Sequence, residues 1–313
     1  MYENMEMRQI FCESIDRLMQ EDERIIVIDA DLARGNGTLS LREKYPQRAF
    51  DVGVAEQNMA ALAAGMAAYG CVPFILSFTP FATRRICDQI AISIAYAKRN
   101  VKIIGSDPGI TAELNGGTHM SVEDIGVLRS IPGIVIFEPV DGIQLAKALP
   151  QIIAYDGPVY IRLFRKIAPA IFNDSYKFNI FKADMLKEGK DISIFASGIM
   201  VDESIKAADI LQSEGINAEI LNIHTIKPLD IEAIIKSARK TGCVVTCENH
   251  NVIGGLGSAV AELLIQEFPV PLKTIGIQDH FGEVGSINYL KKKYKMTAED
   301  IVKVAKDVLS NKI

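Results

Sequence analysis

Residues 51–78 read DVGVAEQNMAALAAGMAAYGCVPFILSF, and the architecture follows from this stretch. Asn58 to Tyr69 is dense in alanine, the strongest helix former, and Gly70 ends it. Val72 to Ser77 is a short apolar run of strand length. The same alternation continues outward. Strands are predicted at Ile25 to Ala30, Val101 to Gly105, Ile134 to Glu138 and Val159 to Leu163. Helices are predicted at Asp88 to Ala97, Val122 to Arg129 and Gly142 to Ile153. Strand and helix in turn specify an α/β fold with a parallel sheet covered on both faces.

The rhythm breaks after residue 168. Residues 169–190 carry Pro169, Asn173, Asp174 and several lysines and read as a linker. From residue 191 the alternation resumes to residue 313. Strands are predicted at Ile192 to Ala196, Ala218 to Ile223, Gly242 to Cys247 and Leu272 to Gly276. Helices are predicted at Val201 to Glu214, Asp230 to Lys240, Gly257 to Phe268 and Ala298 to Leu309. The expectation is two parallel-sheet α/β domains, 1–168 and 191–313.

Composition narrows the class. The chain has 313 residues, 49% hydrophobic and 23% charged, with a net charge of −5. That describes a globular protein without the basic surface that nucleic acid or an anionic membrane requires. Met59 to Leu76 is apolar enough to suggest a membrane span, but Gly65, Gly70 and Pro73 split it into helix and strand. Met1 to Arg24 is polar and acid-rich, unlike a secretory signal. Five scattered cysteines point to reduced thiols and a cytoplasmic setting. Cys243, Cys247 and His250 are close enough in sequence to ligate a metal, although Cys243 to Cys247 also reads as a buried strand.

Ligands of open α/β sheets sit beyond the carboxyl ends of the strands, so residues just after those ends carry the functional signal. Asp29 and Asp31 follow the first strand, Phe78 the second and Asp107 the third, and three segments stand out for their chemistry. Glu56 opens the alanine-rich helix, either as an acid that suits the helix dipole or as a desolvated carboxyl able to keep a proton. In Ser77-Phe78-Thr-Pro-Phe81-Ala-Thr-Arg84-Arg85 two rings stand three residues apart at a strand end, as core or as a stacking surface for a flat heterocycle. In Gly116-Gly-Thr-His119 glycines permit close backbone approach before a histidine that can exchange protons, or they form a plain surface turn.

Taken in order, these segments resemble the transketolase family, over its pyrimidine-binding and C-terminal domains. The resemblance rests on Ala30-Asp31-Leu32, Asp51 to Asn58, Ser77 to Arg85, Asn115 to His119, Ile131 to Asp141 and Pro158 to Arg162. It continues through Cys247-Glu-Asn-His250 and Gly254-Gly-Leu-Gly257. It implies thiamine diphosphate as cofactor. Glu56 matches the glutamate that hydrogen-bonds the pyrimidine nitrogen and so governs its proton traffic. Phe78 and Phe81 match the rings around the pyrimidine, Phe81 as the stacking partner, with Arg84 in the same motif. Asp31 matches an acid near the thiazolium. His119 matches the histidine that contacts the two-carbon fragment, and Arg162 an arginine that binds the acceptor phosphate.

The resemblance also implies a partner. The family's Gly-Asp-Gly segment, which with a later Asn holds the diphosphate and its metal, is missing from this sequence. Mg²⁺ or Ca²⁺ would then be bound by an N-terminal-half subunit, in an α2β2 heterotetramer with the cofactor across the interface. Leu114-Asn115-Gly116 replaces the family's acidic segment, putting the neutral Asn115 where a carboxylate reads the donor hydroxyls. Arg34 stands where the family pattern has a serine-containing turn. These departures point to an unusual ketose, sulfonated or branched. Two other enzyme classes fit the same segments, the β subunit of a 2-oxoacid dehydrogenase and a deoxyxylulose phosphate synthase-like enzyme. A non-catalytic regulatory subunit is the alternative outside catalysis.

Overall fold

Twelve strands build two sheets in the computed structural model, which describes Tyr2 and residues 4–312. In chain order they are β1 (Ile25–Asp29), β2 (Ala49–Asp51), β3 (Val72–Phe78), β4 (Lys102–Ser106), β5 (Val135–Phe137), β6 (Val159–Leu163), β7 (Asp184–Lys187), β8 (Ile192–Ala196), β9 (Ala218–Asn222), β10 (Thr225–Lys227), β11 (Val244–Asn251) and β12 (Leu272–Ile277). The first sheet has the order β10-β5-β6-β4-β3-β1-β2, the second β12-β11-β8-β9-β7. The central strands of both run parallel and are buried along their length, as near-continuous Ile and Val runs require.

Three strands lie outside the expected plan, the first being β2, a three-residue edge parallel to β1. β7 lies inside the predicted linker and pairs antiparallel with β9. Its residues are only half buried, so it lacks the apolar run that marks the other strands. β10 follows β9 closely in sequence yet leaves the second sheet and adds antiparallel to β5 of the first. The second domain therefore lends a strand to the first sheet. Hydrogen bonds of Asn249 to Pro108 O and Ile110 N, and of Asn251 N to Val122 O, join the two halves further.

Two apolar layers sandwich the first sheet. One contains Phe11, Ile15, Phe74 and Leu149, the other Met59, Ala63, Ile90 and Ile136. The acid-rich start of the chain holds the helix Met7–Glu21, which its polar composition conceals. Buried Met7, Ile10, Phe11, Ile15 and Met19 follow helical spacing and supply the first layer. The predicted helix at Asp88 to Ala97 forms as a π-helix over Gln89–Tyr96.

The alanine and glycine content of the helix Glu56–Ala68 predicts burial on nearly all faces, and the structure differs. Met59, Ala60, Ala63 and Ala64 are buried, but Ala61, Leu62, Gly65 and Ala68 face outward. A methyl group added at Gly65 would meet no atom within 4 Å. Together with Val54, Tyr69, Ile92 and Tyr96 these residues make an exposed apolar face across this helix and the π-helix, with Tyr69 93% exposed. Cys243 and Cys247 are packed in the core of the second domain, as their strand reading requires. Among the described residues no helix is long and apolar enough to cross a membrane, and no His, Cys, Asp and Glu cluster could hold a metal.

Candidate active site

The carboxyl edge of the first sheet gathers the residues of interest. Glu56 begins its helix just after β2, and its side chain is 5% exposed. Phe78 ends β3, and Phe81 stands in the short Thr79–Ala82 turn that Pro80 initiates. His119 approaches from the loop after β4. Its ring centroid lies 5.5 Å from Phe78 and 5.3 Å from Phe81, in edge-on geometry, and the two phenylalanines are 6.3 Å apart. Aromatic edges and faces attract in this arrangement, so the three rings hold one another in place. His119 is half buried, and its Nδ1 lies 2.9 Å from the Thr118 hydroxyl.

Cations cover this aromatic cluster. The Arg85 guanidinium lies 3.9 Å from the Phe81 ring centroid, and its Nη1 donates to Glu56 Oε1 at 2.9 Å. Arg165 stands 4.7 Å from the centroid of Phe78, and its Nε donates to Asp107 at 2.7 Å. Arg165 Nη1 also donates to Gly35 O at 3.0 Å, which pins the turn that carries Arg34. Beneath that turn the buried Asp29 carboxylate accepts from Thr38 Oγ1 at 2.5 Å and Asn36 Nδ2 at 3.1 Å. Burial pushes the Asp29 carboxyl up to about 6, outweighing the lowering effect of those two bonds.

The remaining candidates fall in different places. Asp31 is exposed in a left-handed conformation, φ 60°, and its N–H donates to Asp51. Arg34 is exposed and has no hydrogen bond or ion pair among the described residues. Asn115 is exposed at the rim of the His119 loop. Arg84 pairs with Glu123 at 2.6 Å, and its neighbour Arg85 is the arginine that reaches Phe81 and Glu56.

Arg162 requires a correction. Its side chain is 0% exposed, with Nε and Nη2 on Asp124, Nη1 on Glu138, and Nη2 also on the carbonyl of Asn249. Every nitrogen is engaged and none reaches solvent, so it cannot bind an acceptor phosphate. It lies inside β6, whereas Arg165, two residues past the end of β6, reaches the aromatic cluster. The rule that ligands gather beyond strand ends would have selected Arg165.

Sequence reading also missed Glu113. It adopts φ 46° and ψ −113°, a conformation that only glycine enters freely. Its Oε1 accepts from Ile287 N at 2.9 Å, and its Oε2 pairs with Lys166. The His119 loop is thus tied to the second domain. Gly282 and Val284 from that domain also crowd Gly117 and Gly116, where an added methyl would meet Gly282 O at 2.6 Å and Val284 Cγ2 at 2.9 Å.

A cavity of about 620 Å³ elsewhere, between the start of the chain and residues 167–174, is lined by Met5, Ile10, Asp141 and Phe172 and by none of the site residues.

Known proteins share the sequence and the fold. Residues 3–170 match the family model for the transketolase pyrimidine binding domain, and residues 181–301 that for the transketolase C-terminal domain. The chain is 53% identical to the 6-deoxy-6-sulfo-D-fructose transketolase subunit SqwH of Clostridium sp. strain MSTE9, over 98% of this chain and 95% of that protein. It is 36% identical to an apulose-4-phosphate transketolase subunit of Phocaeicola vulgatus, over 95% of this chain and 96% of that protein. A split-gene transketolase solved as an inactive β4 tetramer superposes with a TM-score of 0.92 at 39% identity, covering 98% of this chain and 99% of that one. The chain belongs to the transketolase family and is similar along nearly its whole length to the separately encoded subunits of split transketolases.

Proposed function

We propose that this chain is the pyrimidine-binding subunit of a thiamine diphosphate-dependent split transketolase that moves a two-carbon ketol unit from a sulfonated ketose to an aldose. The observation that carries the reading is that Glu56 and Phe81 flank one and the same planar group, the Arg85 guanidinium. A buried carboxylate at a helix start and an aromatic face, bridged by the planar guanidinium of Arg85, fit a planar nitrogen heterocycle. When bound, thiamine diphosphate supplies the nucleophilic carbon and electron sink that ketol transfer needs.

The chain's own residues do the rest. Glu56 holds a proton at the edge of the pyrimidine. Phe81 stacks on the ring, Phe78 backs it, and Arg84 and Asp31 border the same cleft. His119 hydrogen-bonds the donor hydroxyls and exchanges protons with them. Asn115 and Arg34 face the sugar's far end, where a neutral amide and an unpaired cation suit an anionic sulfonate better than a carboxylate would. The 53% identity to a sulfo-fructose transketolase subunit supports that substrate class.

The diphosphate and its Mg²⁺ or Ca²⁺ belong to a partner subunit carrying the N-terminal half of the enzyme, in an α2β2 heterotetramer. The apolar face from Val54 to Tyr96 adjoins Glu56 through its own helix, and small side chains at Ala61 and Gly65 allow close approach of another chain. Such a site is incomplete in one chain.

The test is to titrate thiamine diphosphate and Mg²⁺ into this chain, into its partner subunit and into both together, then to assay a panel of ketoses. Tight metal-dependent binding and turnover should need both chains, with a sulfonated ketose as donor. Tight binding to this chain alone would remove the split-site reading. Turnover with pyruvate in place of a ketose would favour the synthase class.

A further inference from the structure

Arg85 makes the two contacts that the coenzyme's ring is proposed to make. Its guanidinium stacks on Phe81 with 3.9 Å between Cζ and the ring centroid. It also presents an N–H to Glu56 Oε1 at 2.9 Å. A guanidinium is flat, delocalised and edged with donors, and an aminopyrimidine shares its planar face and its nitrogen-bearing edge. One slot between a carboxylate and a phenyl face holds one such plane at a time.

The surroundings suit exchange. The Arg85 side chain is 44% exposed, whereas that of Glu56 is 5% exposed, so the cation closes the slot from its solvent side. Its backbone is anchored separately: the Arg85 carbonyl accepts from Gln57 Nε2 at 3.4 Å, and the residue lies in the Arg84–Ile86 3₁₀ turn. The side chain can therefore swing away while the turn stays in place. The Arg85 half of the ion pair and of the cation–π contact is solvated, which weakens both, so the arrangement resists entry without blocking it.

We propose that Arg85 is a stand-in for the coenzyme's ring, one that keeps Glu56 and Phe81 in position in the free subunit and competes with thiamine diphosphate for their shared slot. The inference rests on the coenzyme reading above. Under competition the apparent affinity is reduced by the fraction of molecules in which Arg85 has swung out.

The experiment is calorimetric titration of thiamine diphosphate with Mg²⁺ into the complex of this chain with its partner subunit. Wild type, Arg85→Ala and Arg85→Lys are compared, with unfolding temperatures recorded for each. Arg85→Ala should bind roughly five- to twentyfold more tightly, as expected when two weak contacts no longer have to be broken. Arg85→Lys keeps a charge for Glu56 but has no plane to stack, and should fall between the other two. A coenzyme contact would behave oppositely, and weaker binding by Arg85→Ala overturns the proposal, as does equal binding. If wild type binds no thiamine diphosphate, the coenzyme reading fails and the proposal falls with it. If wild type binds and Glu56→Gln loses turnover while Arg85→Ala binds no tighter, only the stand-in role is lost.

Discussion

Arg162 clasps both oxygens of Asp124, through Nε at 2.7 Å and Nη2 at 3.1 Å, and both side chains are fully buried. The pair extends through Glu138 to Ser197 and through the Asn249 carbonyl, so it crosses from the first domain into the second. Tyr160 adds its hydroxyl to the same Asp124 carboxylate.

Removing one partner of such a network leaves buried charge uncompensated. Arg162→Met should cost about 3–5 kcal/mol in urea denaturation. A phosphate-binding arginine would behave oppositely, raising the KM for phosphorylated acceptors at unchanged stability.

Glu56→Gln keeps the side chain's shape and removes its ability to carry charge. In the complex it should lower ketol transfer by about 10²–10⁴-fold, the usual scale of a lost acid–base group, with the unfolding temperature nearly unchanged. Undiminished turnover would favour a regulatory subunit that retains the fold.

Glu113 separates backbone strain from side-chain contact. Both Glu113→Ala and Glu113→Gly lose the bond from Ile287 N and the pairing with Lys166. Only glycine adopts φ 46° and ψ −113° without strain. The glycine variant should therefore be the more stable of the two by about 1–2 kcal/mol in chemical denaturation.

Lys102 gives a pH signature. It is buried in β4, and its Nζ donates to the carbonyls of Tyr155 and Gly157 at 2.8 and 2.9 Å. Burial pushes its pKa down from 10.5 to about 7. Below pH 7 it is charged in both the folded and unfolded states, and the burial penalty is fully present. Between pH 7 and 10.5 the unfolded chain binds more protons, so this group's contribution to stability rises with pH. Lys102→Met should flatten the rise, which is on the order of a few kcal/mol, in denaturation curves taken across that range.

Gly65 tests the apolar face. Glu at this position has free space in the isolated chain and gains helix propensity, so Gly65→Glu should fold normally. It should nonetheless abolish co-purification with the partner subunit, because a charge would be buried at the contact. Retained assembly would move the docking surface elsewhere.

How much of this is legible in the sequence follows from where each signal lives. The central strands β1, β3, β4, β6, β8, β9 and β11 stand out as Ile and Val runs, because a strand buried on both faces is mostly apolar, even where it carries a paired buried charge such as Arg162 in β6. β7 and β10 give no such run, since edge strands are short and partly solvated and take their place from the strand beside them. Glu56, Phe78, Phe81 and His119 are singled out as candidates because the chain order of their motifs carries them. The structure brings the three rings within 5.3 to 6.3 Å of one another.

Local order along the chain determined the α/β class, the family and which residues are candidates for the site, because periodicity and motif spacing are properties of neighbouring residues. Only the tertiary structure decided that Arg162 is an internal clasp, that Arg165 and Arg85 are the cations over the rings, and that a strand of the second domain completes the first sheet. A side chain's role depends on which way it points and on what lies across from it. Both are set by contacts between segments that are far apart in sequence.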